Sequence, residues 1–304
     1  MNSVNTKQLE YVLVLSRDGS FSKAADSLNI TQPSLSQYIK KIEKEIGLPL
    51  FDRTNGDVKL TDAGRVYLES GKQILDLEQQ MNAKFHDIAK HKMGTLRIGT
   101  SPFRSASMMP IVANYFHNIY PGMHLVIDEM ETHELIDGCE HGDFDFCVTM
   151  LPVDERIFTY DTIMEEELVL AVPTSADLLH TTSLPDRKYP AIDIDQLNGL
   201  SFVMITESQV MQKALNSLCL DHKINIRTAV VVKSLEAQIA MVRAGVGVAF
   251  VPTGVEQFCN NNDVRFYSFM QQLPKRKVVA IWRKDHYLSK AARDLIEGIK
   301  KIDW

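Results

Sequence analysis

The sequence predicts an α/β protein in three parts: an N-terminal winged helix-turn-helix, a long connecting helix, and a larger α/β body. Three observations predict this. Short amphipathic helices end in an Asn-Gly hairpin within the first sixty residues. An apolar repeat of seven follows. From Gly94 onward, strand and helix patterns alternate.

Bulk numbers set the limits. The chain has 304 residues, room for two or three domains. Apolar residues make up 45% and charged residues 24%, so a folded rather than a disordered chain is expected. Lys7, Gln8, Glu10, Arg17 and Asp18 interrupt the apolar residues at the N-terminus, so no signal peptide is read there. No apolar run is long enough for a membrane span, and a cytoplasmic protein with no membrane partner is expected. Cys139, Cys147, Cys219 and Cys259 are widely spaced, which predicts reduced, mostly buried thiols. The net charge is -6. Residues 1–93 hold 13 Lys and Arg against 12 Asp and Glu, and the rest hold 20 against 27. A near-neutral head on an acidic body permits nucleic-acid binding by the head without requiring it.

The first helix is expected at about 6–17, with Leu9, Val12 and Leu13 on one face and Gly19 ending it. Ser20 or Ser22 can cap the second, whose buried face is Phe21, Ala24, Ala25 and Leu28. Asn29-Ile30 reads as a tight turn. Thr31 suits an N-cap, and Pro33 is tolerated in the first turn that follows. The third helix carries Leu35, Ile39, Ile42 and Ile46 as a buried stripe. Its other face is Gln32, Ser34, Ser36, Gln37, Lys40, Lys41 and Lys44. Amides read adenine edges, hydroxyls adapt, and lysines meet phosphates, so this face suits a major groove; it also suits plain solvent. Asn55-Gly56 between two short extended runs predicts a hairpin wing carrying Arg53 and Lys59.

The run from Ser20 through Ile39, continued by Lys41-Ile-Glu-Lys-Glu-Ile-Gly-Leu-Pro-Leu-Phe-Asp-Arg53 and Leu60-Thr-Asp-Ala-Gly64, resembles the helix-turn-helix of LysR-type transcription regulators over about forty-five ungapped positions. The resemblance implies a DNA-binding surface of Ser22, Lys23, Thr31, Gln32, Pro33, Ser34, Ser36, Gln37 and Lys40, with Arg53 on a phosphate. It implies double-stranded promoter DNA as partner, and RNA polymerase if the protein activates.

Thr61 caps the long helix, expected to run to about Lys90. Tyr67, Ile74, Met81 and Ile88 recur every seven residues, with Leu77 and Phe85 between them. Such a helix pairs with another or lies along its own domain. The family resemblance favours a homodimer, assembling to a homotetramer, that meets an interrupted palindrome.

Beyond Gly94, strands are expected at 95–99, 124–128, 144–148, 167–172, 201–205, 227–232, 247–251 and 277–282. Helices are expected at 105–120 and 288–302, and the order indicates a parallel sheet. This half resembles the effector domain of the same family, which is similar to periplasmic binding proteins and has two lobes. The expected domains are then 1–60, 61–93 and 94–304. Lobe I takes about 94–163 and 270–304, and lobe II about 164–269, with crossings near 160–168 and 266–276.

Ligands of such sheets sit at strand carboxyl ends between lobes. That rule selects Thr100, Ser101, Pro102, Phe103 and Arg104, then Glu131, Thr132, Thr149 and Met150. From the second lobe it selects Ile205, Thr206, Glu207, Ser208 and the stretch Val248–Pro252, including Phe250. Ser101 and Thr132 match family positions that hold an inducer carboxylate, so a small-molecule and anionic effector is expected. Helix capping by these hydroxyls, with no ligand, stays open.

Other patterns carry less. Ala244-Gly-Val-Gly247 follows a helix and opens a strand, the reverse of a dinucleotide loop. Glu165-Glu-Glu167 reads as a solvated turn. No Gly-x-Ser-x-Gly elbow or metal-ligand spacing occurs, so no catalytic or metal residues and no cofactor are assigned. Two other functions remain open. An enzyme or solute carrier could use the α/β body, but neither needs the winged helix-turn-helix. A redox switch would follow the family's peroxide-sensing branch, which carries a reactive cysteine just after the first second-lobe strand. Here that stretch is Thr206-Glu-Ser-Gln-Val210, with Cys219 about ten residues on.

Overall fold

In the computed structural model, residues 5–52, 58–88, 94–176, 180–206, 210–259, 263–273 and 275–304 are described. Helix α1 (Thr6–Asp18) starts where the Asn5 side chain accepts from the Lys7 N–H, and stops at Gly19 in the left-handed conformation. Helix α2 (Phe21–Ser27) and helix α3 (Gln32–Ile46) flank a turn at Asn29, whose φ is 53°. Thr31 caps α3, its Oγ1 accepting from the Ser34 N–H at 3.4 Å. The short strands β1 (Phe51–Asp52) and β2 (Lys59–Leu60) pair antiparallel, Phe51 opposite Leu60 and Asp52 opposite Lys59. The turn between them, with Arg53, Asn55 and Gly56, lies outside the described residues.

One core joins α1, α2, α3 and β1: Val12, Leu15, Ala24, Leu35, Ile39, Ile42 and Leu50 are all sealed from solvent. Ile46 is not among them. It is 39% exposed, because α3 has outrun its neighbours by its last turn. Gly64 has to be glycine. A Cβ there would stand 2.0 Å from the Leu50 carbonyl oxygen, so the start of the next helix touches the residue just before β1.

That next helix, α4 (Asp62–Ile88), is capped by Thr61, whose Oγ1 accepts from the Gly64 N–H at 3.0 Å. Its 27 residues span about 40 Å. The chain divides into two compact units, and the first takes Met1–His91 with Glu140–Asp143 and Asp285–Ser289. Within this unit, Asp76 of α4 is buried with His286 at 3.0 Å, and Tyr67 packs on the core of the first three helices.

The second unit holds two five-stranded sheets. The first has the order β4-β3-β5-β14-β6, formed by β3 (Gly94–Thr100), β4 (Met123–Glu129), β5 (Phe146–Met150), β6 (Phe158–Glu166) and β14 (Arg276–Arg283). Strands β3, β4 and β5 are parallel, whereas β14 runs antiparallel to both β5 and β6. Helices α5 (Pro102–Ser107), α6 (Met109–Ile119), α7 (Thr132–His141) and α10 (Lys290–Ile299) complete this lobe. The single helix expected at 105–120 is therefore two, broken at Met108 where Pro110 follows.

The second sheet has the order β12-β7-β13-β9-β8, formed by β7 (Leu168–Pro173), β8 (Thr181–Thr182), β9 (Ala191–Ile192), β12 (Ala249–Pro252) and β13 (Val264–Phe269). Beside it β10 (Ser201–Ile205) pairs parallel with β11 (Arg227–Val232), and a bridge joins Phe202 to Val248. Helices α8 (Val210–Asp221) and α9 (Leu235–Arg243) belong to this lobe. Every residue of β7 and β12 is buried. This sheet is largely antiparallel rather than the parallel sheet expected, because β12 and β13 both run against β7. The chain passes between lobes after Glu166 and again between Phe269 and Arg276.

Candidate nucleic-acid interface and effector cleft

Two surfaces carry the candidate residues. On α3 the buried stripe leaves the opposite side free, and Gln32, Pro33, Gln37, Lys40, Lys41 and Lys44 are all exposed. Ser34 and Ser36 are half-buried. Thr31 is exposed, but its hydroxyl pairs with the Ser34 hydroxyl at 2.9 Å as well as capping the helix. Ser22 and Lys23, exposed on α2, complete the set. Arg53 lies outside the described residues.

Glu43 is a residue that periodicity missed. Its carboxylate accepts from the backbone N–H of Leu50 at 2.9 Å and of Phe51 at 3.2 Å. It thereby ties the first wing strand to α3. Nothing in the local sequence distinguishes it from the solvated acids around it.

The second surface is a cavity of about 260 Å³ between the two lobes of the second unit. Of the residues chosen by the strand-end rule, Ser101, Pro102, Phe103, Arg104, Glu131, Thr132, Met150, Ile205 and Pro252 line it. Thr100, Thr149, Val248 and Phe250 do not. Thr100 is fully buried and donates to the Val148 carbonyl at 3.2 Å. Thr149 is 6% exposed. Val248 bridges to Phe202, and the Phe250 ring packs on Phe269 at 5.9 Å. Strand alternation separates Thr149 from Met150, since neighbouring residues face opposite sides of a sheet, whereas Phe250 and Val248 lie two and four residues short of Pro252, which ends β12 at the cavity. Thr206 is half-buried and outside the lining, and Glu207 and Ser208 lie outside the described residues.

The Ser101 hydroxyl accepts from the Arg104 N–H at 3.4 Å, so it caps α5 at the cavity edge. Arg104 does not point to solvent. It is 6% exposed and ion-paired with Glu166. Arg276 reaches the same carboxylate at 3.3 Å. Burial pushes the Arg276 guanidinium below its usual pKa; Glu166 opposes this and Arg104 reinforces it. Glu166 is thus no part of a solvated turn. It ends β6 with its side chain fully buried, while Glu165 faces out. Lys233, Ser234, Leu235 and Glu236 form the remaining wall at the start of α9.

The helix-turn-helix family model described as "Bacterial regulatory helix-turn-helix protein, lysR family" matches residues 6–65. The LysR substrate-binding-domain model matches residues 89–302, more than two thirds of the chain. The chain belongs to the LysR family. It is a LysR-type DNA-binding transcriptional regulator with an effector-binding domain. Over 308 residues it is 28% identical to the uncharacterized HTH-type transcriptional regulator YcgK of Bacillus subtilis (strain 168), covering 97% of this chain and 93% of that protein. The hydrogen peroxide-inducible genes activator of Haemophilus influenzae is 24% identical over 309 residues, covering 98% of this chain and 100% of that protein. A full-length OxyR variant from Pseudomonas aeruginosa has the same fold, with a TM-score of 0.76 at 24% identity over 100% of this chain and 97% of that one.

Four cysteines bear on any redox role in this LysR regulator. Cys139, Cys147 and Cys219 are buried and Cys259 half-buried, all as free thiols. Burial pushes the Cys219 thiol pKa up; at Cys259 burial raises it, Arg243 opposes and Asp263 adds. A reactive thiol needs the opposite shift. Among the described residues, no group of three or more His, Cys, Asp and Glu could hold a metal. No described helix is long and apolar enough to cross a membrane.

Proposed function

We propose that this regulator lays α3 in the DNA major groove, dimerises through α4, and responds to a small molecule held between the lobes of its C-terminal domain. The observation that carries the proposal is the exposed face of Gln32, Gln37, Lys40 and Lys41, backed by the buried stripe of Leu35, Ile39 and Ile42. Side-chain amides with lysines on one rigid helix face supply base contacts and phosphate contacts together. Ser22 and Lys23 extend that face, and Arg53 and Lys59 on the wing add positive charge for the backbone.

The protein acts by binding in the cytoplasm and catalyses no reaction. Its partners are promoter DNA with an interrupted palindrome, a second copy of itself, and RNA polymerase where it activates. The pairing of dimers into tetramers follows from the family. The test is a gel-shift titration of the promoter region with wild type and Gln37→Ala. Loss of affinity that depends on the operator sequence supports the orientation of α3, and unchanged affinity and base preference reject it.

A further inference from the structure

The chain leaving α3 reaches the wing through a joint that α3, β1 and α4 share. Gly47 turns left-handed at a φ of 81°, Leu48 and Pro49 are exposed, and Pro49 has no N–H to give. Leu50 and Phe51 are buried, and both of their backbone N–H groups donate to the Glu43 carboxylate, at 2.9 and 3.2 Å. The carbonyls of the same segment serve the connecting helix. Pro49 accepts from the Thr61 hydroxyl at 2.6 Å and Leu50 from the Thr61 N–H at 3.0 Å, and Thr61 in turn caps α4. Glu43 holds the α3 end of this joint. The wing has little else to fix its direction, since β1 and β2 are two residues each and a short hairpin alone is marginal in water. A carboxylate is also an odd acceptor here. Lys40, Lys41 and Lys44 are its neighbours on α3, all exposed, and a negative charge among them opposes binding to DNA.

We propose that Glu43 is a positioning residue for DNA binding: by holding Leu50 and Phe51 against α3 it sets the wing, and Lys59 with it, at the phosphate backbone while α3 occupies the groove. This rests on the reading of α3 in the major groove and of the wing on the backbone. Lys59 stands exposed on β2 opposite Asp52, so its place relative to α3 passes through β1 and hence through Glu43. Burial of Leu50 and Phe51 fixes how deep the segment sits, but apolar contact has no direction and hydrogen bonds do. A charged acceptor makes the stronger bond, which suits a joint that steers a two-residue strand. The two roles open to Glu43 predict opposite signs. Counted only as a charge, it opposes DNA, and removing it should tighten binding. As a positioning residue, its loss should loosen binding and flatten the salt dependence, because the phosphate contacts of the wing are what it supports.

The test is a fluorescence-anisotropy titration of the full-length protein on a duplex that the wild type selects from random sequence, repeated at several salt concentrations. Three variants separate charge from reach. Glu43→Ala removes both, Glu43→Gln keeps the reach without the charge, and Glu43→Asp keeps the charge on a side chain one methylene shorter. Glu43→Ala and Glu43→Asp should bind more weakly, with the slope of log affinity against log salt lower by about one for each wing. Glu43→Gln should keep the wild-type slope. Discrimination against a single changed base pair should be the same in all of them, since α3 itself stays in place. A loss of folded protein lowers the active fraction and leaves the slope as it was, so a flatter slope is not a stability effect. Glu43→Asp and Glu43→Gln decide the matter between them if Glu43→Ala fails to fold. Tighter binding by Glu43→Ala and Glu43→Gln, or an unchanged slope in Glu43→Asp, would overturn the proposal. Lys59→Ala separates it from the reading beneath it. A flatter slope in Lys59→Ala beside an unchanged one in Glu43→Asp removes only the role of Glu43. An unchanged slope in Lys59→Ala takes Lys59 off the backbone, and the proposal falls with it.

Discussion

Gln37 is exposed on α3 between Leu35 and Ile39, which are both sealed in the core, so the helix cannot rotate to hide it. Gln37→Ala should cost about 1–3 kcal/mol of operator binding, varying with the base it meets. Arg53→Ala should weaken binding to all sequences alike and flatten the salt dependence, which the same titration repeated at several salt concentrations reads. Gly64→Ala is a stability test. Its Cβ would collide with the Leu50 carbonyl, and overpacking of this kind costs about 1–3 kcal/mol, seen as a lower urea midpoint. The cysteines give a chemical test. With Cys219 and Cys259 held above their ordinary pKa, the thiols stay protonated at neutral pH. Alkylation by iodoacetamide should be slow there and accelerate only above the ordinary value of 9.0. Fast labelling at neutral pH, or a disulfide formed by hydrogen peroxide, would revive the redox switch. At this scale the exposed face of α3 was legible because caps, turns and the 3.6 period are local. Glu43 was not legible, since its partners at Leu50 and Phe51 exist only once the chain has turned back.

Among elements, α4 shows most directly what an unburied stripe implies. Ile74 is 37% exposed, Leu77 64%, Met81 49% and Phe85 59%, along one helix. Isolated apolar residues on a surface need no explanation, but four at helical spacing do. Tyr67, placed by the heptad in the same seam, is instead half-buried against the first unit's core, and Ile88 is the last described residue of the helix. A pairing seam on α4 would therefore be centred on Ile74 to Phe85. Met81→Asp puts a charge where a partner helix would have to desolvate it. Light scattering should then report a monomer, and palindrome binding should be lost; an unchanged dimer would place the interface elsewhere. The seven-residue repeat was readable in sequence. Strand β14 was expected at 277–282 and found at Arg276–Arg283, but its partner β6 was harder. The segment around 160–168 was expected only as a crossing, yet β6 runs to Glu166 and pairs along the full length of β14. Their residues are more than a hundred positions apart, and no local period records such a pairing.

For the whole molecule the question is how binding in one place changes DNA binding in another. A ligand shifts an equilibrium only by its difference in affinity for the two states. The residues able to sense lobe arrangement are those that touch the cleft from both sides: Ser101 and Thr132 from one lobe, Ile205 and Leu235 from the other. Strand-end reasoning found most of these, since it depends only on element order. It could not find the Arg104–Glu166–Arg276 cluster, whose members come from a helix and two distant strands. It also chose Thr149, because strand ends do not reveal which face looks into the cleft, Thr100, which is sealed in the core, and Val248 and Phe250, which lie short of the strand end at Pro252. Ser101→Ala should abolish the effector response while leaving DNA affinity intact. The substitution also removes a cap on α5, worth about 1 kcal/mol, so stability alone would be a false reason for failure. Ser101→Asn separates the two effects: asparagine caps equally well, yet its larger side chain occupies the cleft. A reporter assay with and without inducer, run beside operator binding, should show both variants uninduced and both still bound. Normal induction in Ser101→Ala together with Thr132→Ala would move the proposed effector site out of the cleft, and the proposal that α3 faces DNA would stand unaffected.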